Sequence, residues 1–204
     1  MLRLFLITSL LLTTLFTAAL AGLHAQPPPP GDSAAYFGDC AMPCWQGVQP
    51  GVTAHSDAQK ALNAGGWVLR GQCNAAVYDD CDLFMRDDAD LVAYLYIGAG
   101  QVKQIALFRT GLALGDVWLA LGSPEYAAIS PTSYRAISLN TALWFSPSEV
   151  STRMNFPCPV GFAEMLRIPV STILVWANGT SMQGTVFGSV SELRLAMHQV
   201  CAAS

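Results

Sequence analysis

The spacing of hydrophobic positions changes several times along the chain, and each change predicts a new element. Residues 53–64 are rich in helix-forming residues and end at two glycines, so we expect a helix there. Between Gly111 and Pro124, apolar residues recur every three to four positions, which predicts a second helix. Those apolar positions are Leu114, Val117, Trp118 and Leu121. A helical turn over residues 162–166 and a final helix over residues 191–200 complete the predicted helices.

Apolar and β-branched runs predict strands after each of the two main helices. In the first half these runs are residues 67–69, 74–78, 83–86, 91–97 and 101–109, with Gly98-Ala99-Gly100 as a hairpin turn. In the second half they are residues 126–129, 134–139, 142–145 and 171–176. A helix followed by strands therefore occurs twice, which indicates a weak internal repeat. We expect an α+β fold of two tandem helix-plus-antiparallel-sheet units, residues 39–109 and 110–204.

The N-terminus has the three-part pattern of a secretory signal peptide. Arg3 precedes an apolar run from Leu4 to Leu20, and small residues around Ala21 and Ala25 offer two cleavage sites. We predict a signal peptide over residues 1–25, with a retained N-terminal anchor as the alternative. Four consecutive prolines favour an extended conformation, so residues 26–38 are predicted to be a spacer.

All six cysteines follow the predicted export segment, and their number is even. In an exported chain this pattern indicates a disulfide framework, although six cysteines allow 15 connectivities. The pairing we favour joins Cys73 to Cys81 and Cys158 to Cys201, and leaves Cys40 with Cys44. The spacing of these residues does not match a redox motif or a zinc knuckle.

Composition narrows the class of partner. The chain is 52% hydrophobic and only 12% charged, which argues against extensive disorder. Its net charge is −4 and its few basic residues are scattered, so a nucleic-acid partner is not expected. No later segment is long and apolar enough to span a bilayer, so membrane contact is expected only through an uncleaved N-terminus.

The sequence contains no recognisable catalytic, cofactor or metal motif. His55 and His198 follow the signal segment, but neither belongs to an H-E-x-x-H pattern, and both are interpreted as surface or capping residues. A cluster of aspartates could supply oxygen ligands to calcium, yet the EF-hand order is absent and solvated turns explain them as well. These residues are Asp79, Asp80, Asp82, Asp87, Asp88 and Asp90. Of the five tryptophans, most are expected in the core, and one or two could be binding anchors.

The segment from Gly111 to Pro124, which ends in Leu121-Gly122-Ser123-Pro124, resembles a helix found in two related groups. These are the small bacterial outer-membrane assembly lipoproteins and the β-lactamase-inhibitor-like repeat. Residues 51–62 match the same pattern more loosely, and residues 40–51 look like an entry motif of secreted bacterial proteins. The resemblance implies modules that bind other proteins, or scaffold envelope assemblies, through a sheet face. It brings no catalytic residues, and the lipoprotein cysteine is missing here.

These observations predict an exported, non-enzymatic binding or scaffold module at the cell surface or in the periplasm. Its expected partner is another envelope or extracellular protein, and no cofactor is expected. Two alternatives remain, a secreted hydrolase with an unrecognised site and a calcium-stabilised surface protein.

Overall fold

The computed structural model describes residues 37, 42–73, 78–87, 89–131, 138–145, 149–158, 161–177, 185–186 and 190–202. The predicted signal segment, residues 1–25, lies outside this part of the chain, and so does the predicted spacer except for Phe37. The side chain of Phe37 is buried in the hydrophobic core. None of the helices in the described ranges has the length and apolar character needed to cross a membrane.

Four helices and nine strands occur in the described residues. The helices are α1 (His55–Ala64), α2 (Leu114–Leu121), α3 (Phe162–Met165) and α4 (Val190–Ala202). The strands are β1 (Trp67–Gln72), β2 (Asp80–Arg86), β3 (Ala89–Gly98), β4 (Gln101–Phe108), β5 (Tyr126–Pro131), β6 (Ser138–Phe145), β7 (Val150–Pro157), β8 (Thr172–Trp176) and β9 (Thr185–Val186).

The strands form one sheet in the order β1-β2-β3-β4-β8-β7-β6-β5-β9. Every neighbouring pair is antiparallel. Helices combined with an antiparallel sheet confirm the predicted α+β class. The sheet is continuous across the predicted boundary at residues 109 and 110, because β4 pairs with β8.

The helices pack on one face of this sheet. Ala58 and Leu62 of α1 and Val117 of α2 belong to a single core cluster together with sheet residues such as Leu95 and Ile105. The other helices contribute Met165, Leu193 and Met197 to the same cluster. Each fully buried leucine or valine contributes about 1.5–3 kcal/mol of transfer free energy, so this cluster accounts for the attachment of the helices to the sheet.

Local sequence explains where these elements begin and end. Asp116 Oδ2 accepts a hydrogen bond from the Ala113 backbone N–H at 2.9 Å, which satisfies one of the free donors at the start of α2. Gly122 ends that helix with φ of +83°, a conformation that favours glycine. In the β3–β4 hairpin, Ala99 and Gly100 both have positive φ, as a tight two-residue turn requires.

Most predicted elements are found, with three differences. The whole of β7 was not predicted, and neither was the two-residue β9. The predicted runs 134–139 and 142–145 meet in one strand, β6, with residues 134–137 outside the described part of the chain. Tyr78 lies in a bend before β2, so the strand predicted over 74–78 is wrong at that residue, and residues 74–77 are not described.

Two of the three predicted disulfides are confirmed. Cys73 is bonded to Cys81, and Cys158 to Cys201, which ties α4 to the end of β7. Cys44 is also disulfide-bonded, whereas its predicted partner Cys40 lies outside the described residues.

Candidate functional site

The face of the sheet opposite the helices presents aromatic side chains. Residues that are paired across neighbouring strands point to the same face, so the register defines rows of side chains. The central row runs from Leu83 and Tyr94 through Ala106, Leu174 and Ser151 to Trp144 and Tyr126. One flanking row contains Val92, Phe108, Thr172, Arg153, Ala142 and Ala128. The other contains Cys81, Tyr96, Gln104 and Trp176. We call these three rows the open face.

The side chains of the open face are separate from the hydrophobic core. None of them belongs to the core cluster that holds the helices, and no described helix contributes buried residues to this side of the sheet. Its large aromatic residues are half-buried, namely Tyr94, Tyr96, Phe108, Tyr126, Trp144 and Trp176. Other residues of these rows, such as Ala106, Ser151 and Leu174, are buried. The open face therefore combines buried side chains with aromatic rings that are partly exposed.

Hydrogen bonds and ring contacts fix the orientation of these aromatic side chains. Trp176 Nε1 donates to Ser151 Oγ at 3.0 Å. The Tyr94 and Phe108 rings meet edge to face, with their centroids 5.3 Å apart. Ring pairs in this geometry add about 0.5–1.5 kcal/mol beyond the area they bury. These contacts hold the Trp176, Tyr94 and Phe108 side chains in place.

A second aromatic pair, Tyr78 and Tyr96, lies at the row that contains Gln104. The ring centroids of Tyr78 and Tyr96 are 5.0 Å apart, and the Tyr78 hydroxyl donates to Gln104 Oε1 at 2.8 Å. Burial raises the pKa of both tyrosines above the ordinary value of 10.0, and the negative charge of a neighbouring tyrosine raises each further. Both hydroxyls are therefore protonated at neutral pH, and that of Tyr78 donates to Gln104.

A cavity of about 420 Å³ opens on the β2–β4 part of this face. Its lining residues are Leu83, Met85, Val92, Tyr94, Tyr96, Phe108 and Arg109. This lining is mostly apolar, with one guanidinium and two phenol groups. A cavity of this size and lining admits one large apolar side chain or a small ligand.

Two arginines supply positive charge to the open face. Arg153 is exposed in the row that contains Phe108, and Arg109 follows Phe108 at the end of β4. The ion pairs within the described part of the chain are His55–Asp82, Lys60–Asp57 and Arg70–Asp87. Neither Arg109 nor Arg153 takes part in one of them, so both guanidinium groups are free to meet a negative group of a partner.

His55 lies on the other side of the sheet and contacts a buried carboxylate. Its Nε2 is 2.6 Å from Asp82 Oδ2, and the Gln59 amide donates to the same oxygen at 2.7 Å. The Asp82 side chain is 0% exposed, and its Oδ1 has no hydrogen-bond partner in the described residues. His55 is thus partly exposed at the start of α1 and contacts the interior through Asp82, while His198 is exposed on α4 as expected.

Four of the aspartates that suggested calcium have separate partners, and Asp90 is exposed in β3. Asp79 accepts from the Ala99 backbone N–H, Asp80 from that of Cys81, and Asp87 is paired with Arg70. Asp82 belongs to β2 and is buried, so its assignment to a solvated turn is wrong, whereas Asp88 is not described. Within the described residues, no three histidine, cysteine or carboxylate side chains converge as metal ligands.

The tryptophans divide between the core and the open face. Trp45 and Trp67 are fully buried, with their ring centroids 4.8 Å apart, and Trp118 packs against the same core. Trp144 and Trp176 lie on the open face. The sequence suggested that some tryptophans would be binding anchors, but it did not identify these two.

Comparison of the chain with protein-family models, with curated proteins and with solved structures found no match.

Proposed function

We propose that this chain is an exported, non-enzymatic binding or scaffold module that binds another protein through the open face. The observation that carries the proposal is the set of half-buried aromatic side chains and the unpaired Arg153 on the side of the sheet away from the helices. Tryptophan, tyrosine and arginine are the residues that most often dominate the free energy of protein–protein binding.

The dimensions of the open face favour a protein over a small ligand. Between Tyr94 and Tyr126 the central row crosses six strands, from β3 to β5. At about 4.8 Å per strand, these six strands span about 24 Å. A small molecule fills one cavity, whereas a surface of this width is of the order that a protein partner covers.

The strand order supports the proposal that the module is a tandem repeat. In residues 39–109 a helix precedes β1 to β4, and in residues 110–204 a helix precedes β5 to β8. The last strand of each set pairs with the other, β4 with β8. This arrangement agrees with the resemblance to the β-lactamase-inhibitor-like repeat, whose modules bind proteins through a sheet face.

Export is the second part of the proposal. The signal-like residues 1–25 support it, and so do the disulfides Cys73–Cys81 and Cys158–Cys201, because such bonds persist mainly in oxidising compartments. A fusion to an enzyme that is active only outside the cytoplasm tests this part. We expect the fused enzyme to be active when residues 1–25 are present and inactive when they are deleted.

Affinity capture with face variants tests the binding function. The tagged chain is cross-linked in the envelope and culture-medium fractions of the producing cells, and captured proteins are identified by mass spectrometry. We expect Phe108→Ala and Trp144→Ala to lose a protein that the wild-type chain retains. Leu119→Ala is the matched control, because Leu119 is 86% exposed on α2, among the helices. Equal capture by all variants would contradict the proposal.

A secreted hydrolase is the second candidate, and the His55–Asp82 contact is the observation in its favour. A carboxylate that orients a histidine is part of many hydrolytic sites. However, the His55 ring contacts the side chains of Asp82 and Gln59, and no described serine or cysteine bonds to it. Hydrolysis of a panel of p-nitrophenyl esters that is lost in His55→Ala would support an enzyme, whereas equal rates for both chains would count against it.

A further inference from the structure

The open face carries positive charge although the protein as a whole is acidic. The net charge of the chain is −4, yet none of the residues in the three rows is acidic. Arg153 lies in the row that contains Phe108, and Arg109 lines the cavity beside the same ring. A partner that covers this face removes both guanidinium groups from water. That desolvation is unfavourable unless the partner supplies negative groups.

The register fixes the distance between the cavity and Arg153. Phe108 pairs with Thr172, and Thr172 pairs with Arg153. Two strand spacings therefore separate Phe108 from Arg153, about 10 Å. An extended peptide covers this distance in about three residues. One segment could thus place an apolar side chain in the cavity and a carboxylate on Arg153.

Resting on the proposed function, we infer that the partner presents an acidic polypeptide segment to the open face. One aromatic or aliphatic side chain of the segment enters the cavity beside Tyr94 and Phe108. Aspartate or glutamate side chains on either side bind Arg109 and Arg153. Arginine suits this role because its planar guanidinium can bind a carboxylate through two parallel hydrogen bonds.

The open face has only two positive charges, which favours a polypeptide partner over other polyanions. Nucleic acids and anionic membranes are bound by many clustered basic residues, and an acidic chain repels them. Two arginines set among aromatic rings instead match the composition of a protein-binding surface.

Peptide selection on the immobilised full chain tests this inference. The probe is a phage-displayed library of random dodecapeptides, selected at low salt. We expect enrichment of aspartate or glutamate about three positions from an aromatic or leucine residue. For a selected peptide, fluorescence anisotropy should show that Arg153→Gln raises Kd at least about tenfold, because a hydrogen bond to a charged group is lost. Arg167→Gln, at an exposed arginine after α3, is the matched control and should leave Kd unchanged.

Charge reversal gives an independent readout. When the Arg153→Glu variant is immobilised instead, selection from the same library should yield peptides rich in lysine and arginine rather than acidic residues. Raising the salt concentration should weaken binding to the wild-type chain more than binding to Arg153→Gln. Arg153 is exposed, so these variants are expected to fold, which circular dichroism checks.

The outcomes separate this inference from the proposed function. Peptides without acidic enrichment that bind wild type and Arg153→Gln equally, but are lost in Phe108→Ala, overturn the acidic partner and leave the open face as the binding site. A selection that yields no peptide dependent on Phe108 or Trp144 overturns the proposed function, and the acidic partner with it.

Discussion

The contact between His55 and the buried Asp82 carboxylate contributes to the stability of this fold. Asp82 is 0% exposed, and its Oδ2 accepts hydrogen bonds from His55 at 2.6 Å and from Gln59 at 2.7 Å. Its Oδ1 has no partner in the described residues. We predict that His55→Ala destabilises the protein, because it removes one of the two donors that stabilise this carboxylate away from water.

The size of the effect follows from the surroundings of the carboxylate. Removing one partner of a buried ion pair costs about 3–5 kcal/mol when the remaining charge is fully stranded. Here Gln59 keeps one hydrogen bond, and the His55 side chain is 27% exposed, so water can reach the space that it leaves. Loss of a hydrogen bond to a charged group costs about 1.5–3 kcal/mol. We therefore expect the free energy of unfolding to fall by about 2 kcal/mol.

Urea unfolding followed by tryptophan fluorescence, without reductant, measures this free energy. His198→Ala is the control, since this exposed histidine should change it by less than about 0.5 kcal/mol. A double-mutant cycle with Asp82→Asn identifies the cause, because His55→Ala should cost at least about 1 kcal/mol less once the charge is absent. Wild-type stability of His55→Ala, or equal destabilisation in both backgrounds, would show that this contact does not stabilise the fold.

Three further predictions concern stability. The Cys158–Cys201 disulfide closes 43 residues and the Cys73–Cys81 disulfide closes 8. Replacing both cysteines by alanine should therefore lower the free energy of unfolding in urea by about 4 kcal/mol for Cys158–Cys201 and by about 2.5 kcal/mol for Cys73–Cys81. A larger loss for Cys73–Cys81 would contradict the loop-entropy argument. Burial raises the pKa of Tyr96, so the unfolded chain loses this proton first and the free energy of unfolding should decline above about pH 10. Tyr96→Phe should flatten that decline, and an unchanged slope would exclude Tyr96 as its source. Gly51 and Gly66 both have positive φ, but only at Gly51 would an added Cβ meet a neighbouring Cβ at 3.0 Å. Gly51→Ala should therefore lower Tm more than Gly66→Ala, and equal losses would mean that the backbone conformation alone sets the cost.

The helices could be predicted from sequence because their signals are local. The spacing of Leu114, Val117 and Leu121, followed by Gly122, is sufficient to define α2, and the helix ends where the pattern does. Strand β7 alternates between buried and exposed residues from Thr152 onward. However, its buried positions include Thr152 and its exposed ones include Arg153, so it lacks the continuous apolar run that identified the other strands.

The candidate site could not be predicted because long-range register creates it. Phe108 and Arg153 are 45 positions apart in the numbering, and they share a row only because β8 lies between their strands. The burial of Asp82 could not be predicted from sequence for the same reason. Its acidic neighbours indicate a solvated turn, but pairing of β2 with β3 and the position of α1 place its carboxylate beside His55 in the interior.

The charge of the open face also bears on how an aromatic surface avoids binding its own copies. A large apolar surface with no other feature would favour self-association. Two copies that met through their open faces would bring Arg153 and Arg109 of each toward a surface whose three rows contain no carboxylate. Burying these guanidinium groups without a negative partner is unfavourable, and it opposes the gain from covering the aromatic rings. An acidic segment faces no such cost, so the same two arginines disfavour a second copy and favour the proposed partner.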